Sequence, residues 1–75
     1  MDKKIVFLKV FEIKTKEGKK YFKCDFLTED LEYHNMFINA DLMQKCIDKG
    51  FKSLSYYKAT FKEDKEMKLH LVDIN

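Results

Sequence analysis

From Lys20 to Thr28 the chain alternates, with Phe22, Cys24 and Phe26 on one side and Tyr21, Lys23 and Asp25 on the other. A period of two marks a strand with one face in the core. The stretch before it, Ile5 to Thr15, also alternates but changes phase. Val6, Leu8 and Val10 share one face, then Phe11 and Ile13 take the other. That switch near Lys9–Phe11 predicts a bulge or a bend. A bent strand can serve two sheet surfaces. Between the two runs, Lys16-Glu17-Gly18-Lys19 is a turn with glycine available for positive φ. After the polar turn Thr28-Glu29-Asp30, a third strand runs from Leu31 to Ile38. Met36 and Ile38 lie on one of its faces, and Tyr33, Asn35 and Phe37 on the other.

The period then lengthens. Asn39 is a good N-cap, and Asp41 sits in the first turn, where the helix dipole favours an acid. Leu42, Met43, Cys46 and Ile47 follow helical spacing, and Gly50 supplies the stop. The result is a short amphipathic helix of about three turns, suited to packing on a sheet. Phe51 to Lys62 reads as a fourth strand and Glu63-Asp64-Lys65-Glu66 as a charged turn. Met67 to Ile74 is the fifth strand, with Leu69 and Leu71 on one face and Val72 and Ile74 on the other. The order β-β-β-α-β-β predicts a mainly β fold, a five-stranded OB-fold-like barrel with one short helix. A β-grasp places its helix after two strands and fits less well. A plain sheet with a helix on one face is the other rival.

The chain has 75 residues, so this is a single domain spanning 1–75. A chain of this length buries only roughly 60–65% of its unfolded surface, and its core is thin. Two cysteines make no disulfide framework, and their spacing with the histidines matches no finger or ribbon. Cys24 and Cys46 read as buried structural thiols, and His34 and His70 do not turn them into a metal site. The remaining help for a thin core is a second copy, which favours a homodimer. No nucleophile elbow, phosphate-binding glycine loop or metal-ligand helix motif occurs, and a domain this small is expected to lack a deep pocket. The reading is therefore a binding module, not an enzyme, with no cofactor. No apolar run is long enough for a membrane helix. Met1-Asp2-Lys3-Lys4-Ile5 leads straight into a strand pattern without the apolar core of a signal peptide. Free thiols and this start together predict a cytoplasmic protein.

Net charge is +2, but it is unevenly spread. Residues 1–23 carry eight lysines against three acids, a balance of +5. Residues 24–75 carry seven lysines against ten acids, a balance of −3. Arginine is absent. Lysine meets phosphate as a point charge, whereas arginine would add bidentate base readout, so the composition suits sequence-indifferent backbone binding. The competing reading of the first hairpin is an ordinary solvated surface.

With these elements the chain resembles the small OB-fold single-stranded DNA-binding proteins of phages, plasmids and other mobile elements. The resemblance runs across nearly the whole domain. It is sharpest from Lys49-Gly50 through Leu54–Phe61, the charged turn, and Met67-Lys-Leu-His-Leu-Val-Asp-Ile74. It implies aromatics on exposed strand faces and basic residues in the flanking loops. It departs from the family in having no tryptophan and no acidic tail after the barrel.

Single-strand binding needs a positive track for phosphates and flat side chains on which bases stack. The first hairpin offers Lys14, Lys16, Lys19, Lys20 and Lys23, with Tyr21 among them. Tyr33 and Phe37 match exposed strand positions beside them. Of Tyr56 and Tyr57 one must face out, and Tyr57 is taken with Lys58 as part of the surface; Lys62 and Lys65 complete it. For each aromatic, packing in a small barrel or a dimer is the competing role. The acids Asp25, Glu29, Asp30 and Glu32 oppose a phosphate path at their corner. The expected partner is single-stranded DNA, with RNA left open, in phage or mobile-element replication. The alternative is a small adaptor or inhibitor whose barrel binds a host or phage protein through an unpaired strand edge.

Overall fold

The computed structural model describes residues 1–75 as five strands and one helix. They are β1 (Asp2–Lys14), β2 (Lys20–Leu27), β3 (Tyr33–Ile38), α1 (Ala40–Asp48), β4 (Ser55–Glu63) and β5 (Leu69–Ile74). All pairings are antiparallel, in the spatial order β3-β2-β1-β4-β5. The long β1 pairs with β4 through its first half and with β2 along most of its length. The sheet curls until β3 and β5 approach one another without forming a ladder. This is the OB-fold-like barrel the element order predicts, left partly open between its two edge strands.

The bend in β1 lies at Leu8, where the β1–β2 register slips between Phe7 and Lys9. Before it, Ile5 and Phe7 point into the core, not Val6 and Leu8 as the alternation suggested. After it, Val10 packs against the core while Lys9, Phe11 and Ile13 face outward with Asp25, Lys23 and Tyr21. One extra residue therefore carries the strand from one apolar phase to the other. β5 uses the same device. Its register with β4 slips at Val72, which explains how Leu71 and Ile74, three apart, are both buried.

The interior joins Ile5, Phe7, Cys24, Phe26, Ile38, Leu42, Cys46, Ala59, Phe61, Leu71 and Ile74. α1 closes one end of it. The Asn39 side chain accepts from the Leu42 N–H at 2.8 Å. At the other end the Gly50 and Phe51 N–H groups donate to the carbonyls of Ile47 and Cys46, with Gly50 at φ 63°. Ile47, placed on the apolar side by its spacing, is exposed instead. Phe51 is not in a strand. After the helix cap the chain needs Phe51–Leu54 to turn back, and β4 starts only at Ser55. β3 and β5 likewise start two residues later than the apolar pattern suggested, because the turns before them take Leu31–Glu32 and Met67–Lys68.

The three hairpin turns share one construction. Gly18, Leu31 and Met67 each donate to the carbonyl three residues earlier, at Thr15, Thr28 and Asp64, and each has φ between 63° and 84°. A three-residue loop of this kind places glycine at the left-handed position. Only the first loop does so. Leu31 and Met67 hold that strained conformation with side chains 70% and 80% exposed. Left-handed φ costs a bulky residue on the order of 1–3 kcal/mol. Met67→Gly is therefore expected to stabilise the domain by about 1 kcal/mol after the extra entropy of glycine is counted. Urea unfolding measures this; an unchanged or lower midpoint would contradict it.

Two carboxylates flank β5, Asp64 in the turn before it and Asp73 near its far end. Hydrogen bonds from His70 and from the backbone of Lys68 hold the Asp64 carboxyl below its ordinary value. Lys45, reaching across from α1 at 2.7 Å, does the same for Asp73. A depressed folded-state pKa gives stability that is full above the unfolded value and lost as pH falls through the folded one. The urea midpoint should thus drop once pH goes below about 4, the ordinary carboxylate range. Asp73→Asn should flatten that drop, and an acid limb equally steep in the variant would count against it.

Candidate nucleic-acid interface

The outward face of β1, β2 and β3 is built by register. Ile13 pairs with Tyr21, Phe11 with Lys23 and Phe37, and Lys9 with Asp25 and Asn35. Leu27 then aligns with Val6 and Tyr33. Paired residues share a face, so aromatics and lysines come together from three strands. Tyr21 meets Phe37 edge-on at 5.9 Å. The Lys23 ammonium lies 4.4 Å from the Phe37 ring centre and donates to Asn35 Oδ1 at 2.5 Å. Lys9 sits 5.1 Å from the ring of Phe11 and Lys4 4.5 Å from that of Tyr56. Three of the rings on this face, Phe37, Phe11 and Tyr56, thus have a cation beside them, as aromatic–lysine pairs at a surface favour.

Asp25 stands in the middle of this face. Its Oδ1 accepts from the Tyr33 hydroxyl at 2.8 Å and from the Asn35 amide. The hydrogen bond to Asp25 raises the pKa of the Tyr33 phenol. Tyr33 and Phe37 remain 59% and 61% exposed.

Among the residues expected from sequence, Tyr21, Lys23, Tyr33 and Phe37 lie together on this surface. Lys58 is on the outward side of β4, opposite Lys4 and 3.8 Å from Asp2. Lys16 and Lys19 are exposed in the first turn. Lys14 and Lys20 pair with each other one step beyond Ile13–Tyr21, so they project from the other side of the hairpin, where Lys20 reaches Glu12 at 3.7 Å. Lys62 and Lys65 belong to the β4–β5 hairpin. Tyr57 is a correction. It pairs with core residue Ile5, stacks on Phe51 at 4.2 Å and meets Phe7 at 5.8 Å. Its hydroxyl accepts from the Lys52 N–H. Tyr56, at 63% exposure, is the one that faces out. Lys4, Lys9, Phe11 and Asn35 join the surface without having been singled out. The signal for Lys9 and Phe11 was the phase change in β1, which puts both on the face of Tyr21.

A second feature lies between the unpaired edges of β3 and β5. The expectation of no pocket in the usual range is corrected here: a cleft of 340 Å³ opens at this gap, at the low end of ligand-site volumes of ~300–1,000 Å³. Ile5, Phe26, Met36, Phe61 and Leu69 supply its apolar lining, and Glu29, Asp30 and Glu32 an acidic wall. The acids of the second turn therefore line this cleft. The other chemistry-bearing side chains are dispersed. Cys24 and Cys46 are buried in the core, where burial pushes the Cys24 thiol up to about 12 and raises that of Cys46. His34 stacks on Phe26 at 5.5 Å, and His70 meets Asp64 at 2.8 Å. No three His, Cys, Asp or Glu side chains converge as a metal site would need. No helix is long and apolar enough to cross a membrane. Comparison with family models, curated proteins and solved structures gives no match.

Proposed function

We propose that this domain binds single-stranded nucleic acid, chiefly single-stranded DNA, along the outward face of β1, β2 and β3. The observation that carries the reading is the set of lysine–ring pairs on one surface: Lys23 with Phe37, Lys9 with Phe11 and Lys4 with Tyr56. Rings supply stacking and ammonium groups supply phosphate neutralisation, the two parts such binding requires. In OB-type barrels the face of the second and third strands, with the loops of the first and last hairpins, is the usual oligonucleotide site. Here those loops carry Lys16, Lys19, Lys65 and Lys68.

Fluorescence anisotropy of a labelled oligo-dT at several salt concentrations tests the proposal. Binding should weaken with a log–log slope of about −0.7 for each phosphate contacted. An absence of binding at low salt would end it.

The cleft between β3 and β5 favours a second reading, a protein-binding adaptor. Two unpaired edges over an apolar floor could accept an extended peptide as an added strand. A partner that binds there would protect β3-edge amides from exchange and leave the Tyr21–Phe37 face unchanged.

A further inference from the structure

Asp25 is the only buried charged or polar residue in the protein, 7% exposed, and it lies on the outward face and not in the core. Burying a carboxylate away from water is costly unless its oxygens are hydrogen-bonded. Only one of them is. Oδ1 takes the Tyr33 hydroxyl and the Asn35 amide, while Oδ2 accepts from no group in the chain. No side-chain oxygen is both unpartnered and fully sealed from solvent, so Oδ2 keeps some contact with the surface. Lys23, two residues away on β2, donates to Asn35 and not to Asp25, and Lys9, opposite Asp25 on β1, lies over the Phe11 ring.

Building on the proposed single-strand interface, we infer that Asp25 reads the edge of one base and selects guanine. A phosphate is repelled by this oxygen, so what meets it is a base edge. An ionised carboxylate only accepts hydrogen bonds, and Oδ2 keeps its accepting positions free. Guanine presents two adjacent donors on its Watson–Crick edge, N1–H and the 2-amino group. Adenine and cytosine each place a ring nitrogen acceptor beside their amine, and that lone pair would face the carboxylate. Thymine has one N–H between two carbonyls.

Position supports the choice. Asp25 is two residues from Lys23 on β2, and Asn35 is two residues from Phe37 on β3. Two strand residues span about 7 Å, so a base stacked on Phe37 can turn its edge toward Asp25. Tyr33 and Asn35 fix the carboxylate through Oδ1. Unstacked bases read on that edge are the usual target of single-strand recognition.

The test compares thymine tracts that carry one central guanine, adenine or hypoxanthine. Adenine controls for the stronger stacking of a purine. Hypoxanthine keeps N1–H and lacks the 2-amino group. The guanine oligonucleotide should bind about tenfold more tightly than the adenine one, the lower part of the range for a two-donor base contact. Hypoxanthine should give up most of that gain, and Asp25→Asn should bring guanine down to the level of adenine. The ligand series needs no mutant, so it decides the matter even if Asp25→Asn fails to fold. Equal affinity for the guanine and adenine oligonucleotides would overturn the assignment while leaving single-strand binding in place. Failure to bind any of the three would overturn both.

Discussion

Replacing Tyr21 and Phe37 together by alanine is expected to weaken oligo-dT binding by about 100-fold. Base–ring stacking is worth roughly 1–3 kcal/mol per base. The two rings touch edge-on at 5.9 Å, so their losses are not independent. A combined loss of about 3 kcal/mol corresponds to roughly two orders of magnitude. Both side chains are exposed, so the fold should hardly notice: surface changes of this kind usually stay within about 0.5 kcal/mol each. The pair of readouts matters. Anisotropy should shift strongly while the urea midpoint stays near that of the parent. Affinity within a factor of three of the parent would mean that bases do not stack here.

Phe26→Ala is expected to abolish cooperative folding. Phe26 is 1% exposed at the centre of the barrel, 5.8 Å from Phe61 and stacked with His34 at 5.5 Å. Removing a buried phenyl ring costs about 3–5 kcal/mol. A single core in a chain this short rarely supplies more than ~3–5 kcal/mol in total. The loss therefore matches the whole stability. Circular dichroism during urea titration should show no transition for the variant. A midpoint lowered by less than the equivalent of about 1 kcal/mol would mean that the core can collapse around the gap.

The fold was legible where the pattern was strictly local. Phe22, Cys24 and Phe26 on β2, and Met36 and Ile38 on β3, face as their alternation required. The Asn39 and Gly50 helix signals were met by the hydrogen bonds they predict. What local pattern missed came from bulges and turns. The extra residue at Leu8 reverses which of its neighbours point inward, so Ile5 and Phe7 are core where Val6 and Leu8 looked equally suited. Leu31 and Met67 looked like strand residues because they are apolar, and yet they occupy the position where such turns ordinarily hold glycine.

The candidate surface was legible in part for the same reason. Tyr21, Lys23, Tyr33 and Phe37 follow from strand alternation alone. Choosing between Tyr56 and Tyr57 required knowing which one pairs with Ile5, and that is a matter of long-range register. The buried carboxylate of Asp25 could not be read from sequence at all. Its neighbours Tyr33 and Asn35 come from another strand, and their hydrogen bonds are what make its burial tolerable.

A binding surface can be mapped residue by residue. Amide chemical shifts of the labelled protein should be followed as oligo-dT is added. The largest shifts should fall on Phe11, Tyr21, Lys23 and Phe37, with Met36 and Leu69 at the cleft little changed. Shifts confined to the cleft between β3 and β5, or none at all, would contradict the proposed interface.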